Sequence, residues 1–216
     1  MKLVIQLLLW AIIFFLGYLI FDAVYDPIQF NKLKERRYTK VIDRLEDIRA
    51  AQLAHQEITG TFEKDFDKLV RFIDTAEYVL TQRRDSTVLD LEYQKAFGVD
   101  RQKDIVIVDT LGYASVKDSL FKNDEYKEMM YIPVEGVDEK FEMDAGTILK
   151  NENQIPVFMA RVDKAVVLYD QDKDLIKQEK QVISVDQVNG PYIQVGSMEE
   201  VNTSGNWPEA YGKTKL

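Results

Sequence analysis

Residues 3–21 read LVIQLLLWAIIFFLGYLIF, and this uncharged run of 19 residues decides how the rest of the sequence is interpreted. At a rise of about 1.5 Å per residue, a helix of this length spans roughly the hydrocarbon layer of a bilayer. The run is apolar on every face, and no comparable segment follows that would bury it in a protein core. It therefore predicts a transmembrane anchor over residues 1–22 that contacts lipid through residues 3–21. The anchoring side chains are Leu3, Leu7, Trp10, Ile13, Phe14, Tyr18 and Phe21.

The residues that flank this anchor bear on its retention and its orientation. Bulky residues 18–21 stand where a cleaved signal peptide would need small ones, so we expect the anchor to be retained. A basic cluster, Lys32, Lys34, Arg36, Arg37 and Lys40, follows the anchor and by the positive-inside rule favours a cytoplasmic domain. Residues 22–31, however, hold two acids and no base, so the cluster begins well outside the bilayer. We predict a single-pass inner-membrane protein with a periplasmic C-terminal domain, and keep the reverse orientation as the alternative.

Composition excludes several classes of function. The 216 residues carry 28 Lys and Arg against 37 Asp and Glu, a net charge of −9 that argues against nucleic acid as a partner. The absence of Cys excludes disulfides, thiolate zinc sites and cysteine nucleophiles. The 46% of apolar residues are enough to form a core, so the chain beyond the anchor is expected to fold.

Beyond the anchor, the sequence first predicts a long amphipathic helix. Apolar residues recur at helical spacing, and we predict that Val41, Leu45 and Ile48 lie on its packing face. Pro27 predicts a break between the anchor and this helix, and Gly60 its end. We assign residues 23–60 to a stalk, residues 61–201 to an α+β domain and residues 202–216 to a polar tail.

The rest of the chain predicts a short second helix, capped by Asp65, and then a series of strands. A hairpin is predicted from DIVIV at 104–108, a turn at 109–112 and a strand at 113–116, after a helical interlude near 89–97. Further strands are predicted at 130–134, 140–143, 156–162, 166–169, 182–185 and 192–195. Consecutive strands with short turns imply an antiparallel sheet. The predicted fold class is α+β, with the anchor continuing into an amphipathic helix that packs on this sheet.

Few residues suggest catalysis. The single His55 falls at the end of the apolar stripe and has neither a Cys nor a second His beside it. Asp170, Asp172 and Asp174 have the spacing of a calcium loop, but the glycine and the final glutamate of that loop are missing. We predict no enzyme activity, no cofactor and no metal. Trp207 is interpreted as a lid over the sheet, or else as a contact for a partner.

The first third of the chain resembles type IV pilins and the pseudopilins of type II secretion. The likeness rests on the uncharged helix, Pro27, the continuation VIDRLEDIRAAQLAHQEITGTFEKDFDKLVRFI and the step at Gly60-Thr61-Phe62. Leu3-Val4-Ile5-Gln6 lacks the pilin processing site and the buried glutamate. VRFIDT, DTLGYASVKDSLF, YIQVGSMEE and SGNWP are also similar to an uncharacterised group of membrane-anchored envelope proteins of Bacteroidota. That second resemblance implies an envelope location.

These observations favour a non-enzymatic component of an envelope assembly, pseudopilin-like or secretion-related, that associates with envelope proteins or with itself. A cytoplasm-facing membrane-tethered adaptor or sensor is the alternative. A membrane-tethered hydrolase is a third hypothesis, because the 37 acidic residues could include an unrecognised catalytic pair.

Overall fold

The computed structural model describes residues 2–208 and 211, with side chains for residues 3, 5–18, 25–208 and 211. Its fold is α+β, with two antiparallel sheets. The helices are α1 (Lys2–Thr59), α2 (Phe66–Thr75), α3 (Leu91–Phe97), α4 (Val116–Leu120), α5 (Lys164–Val167) and α6 (Lys173–Glu179), with a 3-10 helix at Asp124–Glu128. The strands are β1 (Glu77–Leu89), β2 (Gln102–Ser115), β3 (Glu142–Lys150), β4 (Asn153–Asp163) and β5 (Tyr192–Gly196).

The first helix is continuous, and the predicted break at Pro27 is wrong. Pro27 lies inside α1, which runs for 58 residues. An internal proline costs about 3 kcal/mol because it removes one backbone hydrogen bond and crowds the preceding turn. The turns that follow are held by burial from Phe30 onward, which offsets this local cost.

The described side chains of the first part of α1 are exposed. Six of the side chains predicted to contact lipid are described, and they are 50% to 71% exposed: Leu3, Leu7, Trp10, Ile13, Phe14 and Tyr18. The side chain of Phe21 lies outside the described residues. Among the residues described, no helix is both long and apolar enough to cross a membrane.

The core lies between α1 and the three-stranded sheet β3-β4-β5. Antiparallel pairing places Ala160 opposite Val195 and Val162 opposite Ile193, so these four side chains share one face of the sheet. All four are buried in one cluster with the apolar stripe of α1. At the end of β5, Gly196 has φ +74°, and a Cβ there would lie 2.2 Å from the Phe158 carbonyl oxygen. Only glycine fits this approach between two strands.

Helix α2 begins at its predicted cap, where the Asp65 carboxylate accepts hydrogen bonds from the amides of Asp67 and Lys68. Several predicted strands are wrong. The predicted hairpin at 104–116 is one strand, β2, whose partner is β1. Residues 166–169 form the end of α5, which the Asp163 cap begins, and the turn after it, and residues 182–185 form no strand. Residues 130–134 contribute a single bridge, from Tyr131 to Lys140.

Candidate functional site

The predicted packing face of α1 lies in the core. Val41, Leu45 and Ile48 have no exposed surface and pack in the same cluster as the core face of β4 and β5. The described residues of this one helix therefore form two successive surfaces: an exposed and mostly apolar stretch at residues 3 and 5–18, and a one-sided stripe that the domain buries.

Charged side chains beneath α1 attach this helix to the C-terminal half of the domain. We name Lys34, Tyr38, Lys164 and Glu179 the Glu179 cluster. Lys34 Nζ donates to one carboxylate oxygen of Glu179 at 3.0 Å, and Lys164 Nζ donates to the other at 3.2 Å. Lys164 also donates to the Glu179 and Val188 carbonyl oxygens at 2.8 Å, and the Tyr38 hydroxyl to Glu179 at 3.4 Å. The Glu179 carboxylate is thus the counterion of both ammonium groups, those of Lys34 and Lys164.

Burial sets the protonation behaviour of the Glu179 cluster. Lys164 is fully buried, and desolvation lowers its pKa from the usual value, although Glu179 acts in the opposite direction. Desolvation also raises the pKa of Tyr38, and the neighbouring Glu179 carboxylate adds to this effect. The cluster has its donors and acceptors occupied by one another, so its geometry is that of a structural clamp between α1, α5 and α6.

A second attachment lies on the side of α1 nearer to solvent. Arg37 donates to both carboxylate oxygens of Asp170, at 2.6 and 2.9 Å, and to the Val167 carbonyl oxygen at 2.9 Å. This bidentate pair lowers the pKa of Asp170 to about 2. Lys34 and Arg37, two members of the predicted basic cluster, are therefore used to hold the domain on its helix.

The residues considered for catalysis or metal binding have structural partners. His55 Nδ1 lies 2.6 Å from the Thr61 carbonyl oxygen, and its ring meets Phe72 edge-on at 4.7 Å. Asp172 caps α6 by accepting from the Asp174 and Leu175 amides. No group of three or more acidic or histidine side chains among the described residues is placed to hold a metal ion.

Trp207 lies half-buried against the core cluster. Its ring covers Gly205 so closely that no Cβ would fit there. The adjoining backbone extends the edge of β5, because the Gly196 amide donates to Ser204 and the Asn206 amide to Gln194. These contacts correspond to the lid interpretation of Trp207.

The feature that sequence reasoning missed is the segment Glu77–Ser115, which we call the arm. It consists of β1, the short helix α3 and β2, and all 13 residues of β1 pair with β2. Apolar side chains are exposed along one of its faces. Val79, Val106, Val108 and Tyr113 lie on this face and are each more than half exposed. Among the described residues, the two strands hydrogen bond to no other strand.

One shallow groove beside α1 has about 460 Å³ of volume and is lined by Gln29, Lys32, Leu33, Arg36 and Gln171. These side chains include two bases, Lys32 and Arg36, and no carboxylate, so the groove brings no paired acid and base together.

The chain matches no protein-family profile, no curated protein and no solved structure.

Proposed function

We propose that this chain is a non-enzymatic, single-pass inner-membrane protein whose α+β domain lies outside the cytoplasm and serves as an interaction component of an envelope assembly. The observation that carries the proposal is the two-part character of α1. Residues 3 and 5–18 keep mostly apolar side chains exposed around the helix, whereas the residues from Phe30 onward bury one stripe in the domain.

The case for an anchor combines these exposed side chains with the sequence. An exposed apolar surface of this extent is unfavourable in water, at about 25 cal/mol for each Å². The run of described side chains extends from Ile5 to Tyr18, and the uncharged sequence extends from Leu3 to Phe21. A lipid bilayer is the environment that covers such a helix on all sides.

The uses of Lys34 and Arg37 support an extracytoplasmic domain. A basic cluster after an anchor is usually read as a sign of cytoplasmic orientation. Here Lys34 pairs with Glu179 and Arg37 with Asp170. These two basic residues therefore have a structural role that does not depend on the membrane orientation. Lys32, Arg36 and Lys40 remain as the argument for the opposite orientation.

The finer part of the proposal is a pilin-like or pseudopilin-like arrangement. It is supported by the packing of a long N-terminal helix across β4 and β5 of an antiparallel sheet. The sequence at Leu3-Val4-Ile5-Gln6 departs from pilins, so we propose that the anchor enters an assembly without prepilin processing. We propose that the assembly belongs to the cell envelope of Bacteroidota, as the resemblance to envelope proteins of that group implies.

Topology fusions test this proposal. Alkaline phosphatase and a fluorescent protein are fused in turn after Leu216 of the full chain, with a matched pair of fusions to a chain that begins at Asp26. We expect phosphatase activity from the full chain in the membrane fraction, and none from the shortened chain. Fluorescence without phosphatase activity would overturn the proposal and favour the cytoplasm-facing adaptor. A full-length fusion found in the soluble fraction would overturn the anchor itself.

A further inference from the structure

The arm lacks the support that a two-stranded ribbon normally needs. Isolated two-stranded ribbons are marginally stable in water, and a third strand or a packed helix usually stabilises them. Here residues 102–110 of β2 are all exposed except the half-buried Ile105 and Ile107. The edge of β2 that faces away from β1 therefore presents backbone groups that no described strand pairs with.

The sequence along this edge is complementary to itself. In KDIVIVD at 103–109, Lys103 and Asp109 stand three residues on either side of Val106, and Ile105 and Ile107 stand one residue on either side. Antiparallel pairing of β2 with a second β2 about Val106 places Lys103 opposite Asp109 twice and Ile105 opposite Ile107 twice. Opposite charges and matched apolar residues at facing positions stabilise a sheet.

The register follows from the alternation of side chains. A two-fold axis perpendicular to the sheet places the same residue of both strands on the same face. Facing residues must also share a face, so the axis lies at a residue position and not midway between two residues. Moving the axis to Ile105 sets Lys103 opposite Ile107, and moving it to Ile107 sets Lys103 opposite Leu111. Only an axis at Val106 joins Lys103 to Asp109.

The other side of the same pairing is also compatible with a second copy. On that face Val106, which is 59% exposed, lies opposite its own copy. Asp104 comes opposite Val108 and remains available to the Thr87 hydroxyl, which donates to it at 3.2 Å. Lys103 has no ion-pair partner among the described residues, whereas Asp109 pairs with Arg84 at 3.1 Å in an exposed contact.

The edge of β1 does not offer an equivalent pairing at its centre. Its middle residues are Arg83, Arg84 and Asp85. A two-fold axis at any of these three places a charged side chain directly opposite an identical one, which destabilises the pair. The two edges of the arm are therefore different, and β2 is the one that is suited to a second copy.

We propose that two copies of this chain associate through their β2 edges about Val106, forming a four-stranded antiparallel sheet in the order β1-β2-β2-β1. This specifies the self-association within the proposed function, but it does not depend on which side of the membrane the domain occupies.

Cysteine crosslinking tests the pairing, because the natural chain contains no cysteine. Full-length Val106→Cys is purified in detergent and oxidised, and Leu111→Cys is the matched control on the same strand, 67% exposed. We expect a disulfide-linked dimer of twice 25.1 kDa from Val106→Cys and little from Leu111→Cys. Equal yields from the two variants, or no dimer from Val106→Cys, would overturn the proposal.

Charge reversal in the Val106→Cys background tests the register. Lys103→Asp and Asp109→Lys each replace two attractive contacts with two repulsive ones, and we expect each to weaken dimerisation by roughly tenfold. The double variant restores complementarity and should restore crosslinking. Arg84→Gln is the control: it removes the partner that Asp109 has within the arm but keeps both Lys103 and Asp109, so it should not weaken crosslinking. Crosslinking that is insensitive to either reversal, or that is not restored in the double variant, would overturn the assigned register.

The failure of this inference is distinguishable from failure of the proposed function. The crosslinking is carried out on purified protein in detergent, so it gives the same result in either membrane orientation. The topology fusions, in turn, do not depend on dimerisation.

Discussion

At the scale of single residues, Glu179 is the group on which the buried charges depend. It is the carboxylate that both Lys34 and Lys164 contact, and it is 5% exposed. We expect Glu179→Gln to lower the free energy of unfolding by about 3–5 kcal/mol, because two buried ammonium groups lose their counterion. Chemical denaturation of the full chain in detergent measures this.

The matched comparison for Glu179→Gln is Lys34→Met. It leaves Lys164 paired one-to-one with Glu179, so we expect a smaller loss of roughly 1–2 kcal/mol. Equal losses of unfolding free energy from Lys34→Met and Glu179→Gln would contradict this explanation. They would show that the stability does not depend on Glu179 being the counterion of two ammonium groups.

Asp170 gives a prediction for acid conditions. Arg37 lowers the pKa of Asp170 in the folded protein to about 2, from 3.8. A carboxylate with a depressed folded pKa stabilises the fold above its unfolded pKa, and this contribution disappears as the pH falls from about 4 to about 2. Asp170 is 39% exposed, so solvent screening limits the contribution to about 1 kcal/mol or less.

The measurement for Asp170 is the pH dependence of stability in the native chain and in Asp170→Asn. Between pH 4 and pH 2 the native chain should lose more stability than the variant, and the two should converge at the acid end. Parallel curves would show that the Arg37 pair does not contribute.

At the scale of elements, α1 provides a comparison within one helix. Leu45 is fully buried, whereas Leu53, two turns further on, is 36% exposed. We expect Leu45→Asp to destabilise the domain by at least about 3 kcal/mol, since it places an unpaired charge in the core. Leu53→Asp should change stability by about 1 kcal/mol or less. Thermal unfolding of both variants separates a packed stalk from a free-standing one, for which the two effects would be alike.

The elements also show what the sequence could predict. The burial of Val41, Leu45 and Ile48 was predictable because helical spacing translates directly into one face. The strand β1 was not, because both of its faces are largely exposed and its polar centre, residues 81–87, shows no apolar alternation. The β-branched pair Val166–Val167 suggested a strand, but the Asp163 cap starts a helix there.

The same limits apply to the candidate site. The exposed, uncharged stretch of α1 was evident from composition alone. The complementarity of β2 about Val106 is present in the sequence. It was missed because the turn predicted at 109–112, which includes Leu111-Gly112, divided the strand into two. In the structure the pairing of β1 and β2 shifts register beside this position and the strand continues. Turn-forming residues do not by themselves distinguish a hairpin from a bulge.

At the scale of the whole molecule, the domain should fold without the anchor. The core begins at Phe30, and the described side chains of the proposed anchor, residues 3–21, do not belong to it. We expect a chain that begins at Asp26 to unfold cooperatively at nearly the same temperature as the full chain. Calorimetry measures this, and a large fall in the midpoint would mean that the anchor contributes to the fold.

The continuity of α1 has a mechanical consequence. A helix of 58 residues is about 87 Å long, and its second half forms the spine of the domain. Because α1 is continuous in the structure, we expect rotation of its N-terminal half about the helix axis to turn the domain with it. The direction in which the arm points is then expected to follow the orientation of α1. The proposed anchor would thus transmit rotation to the domain as well as attach it to the membrane.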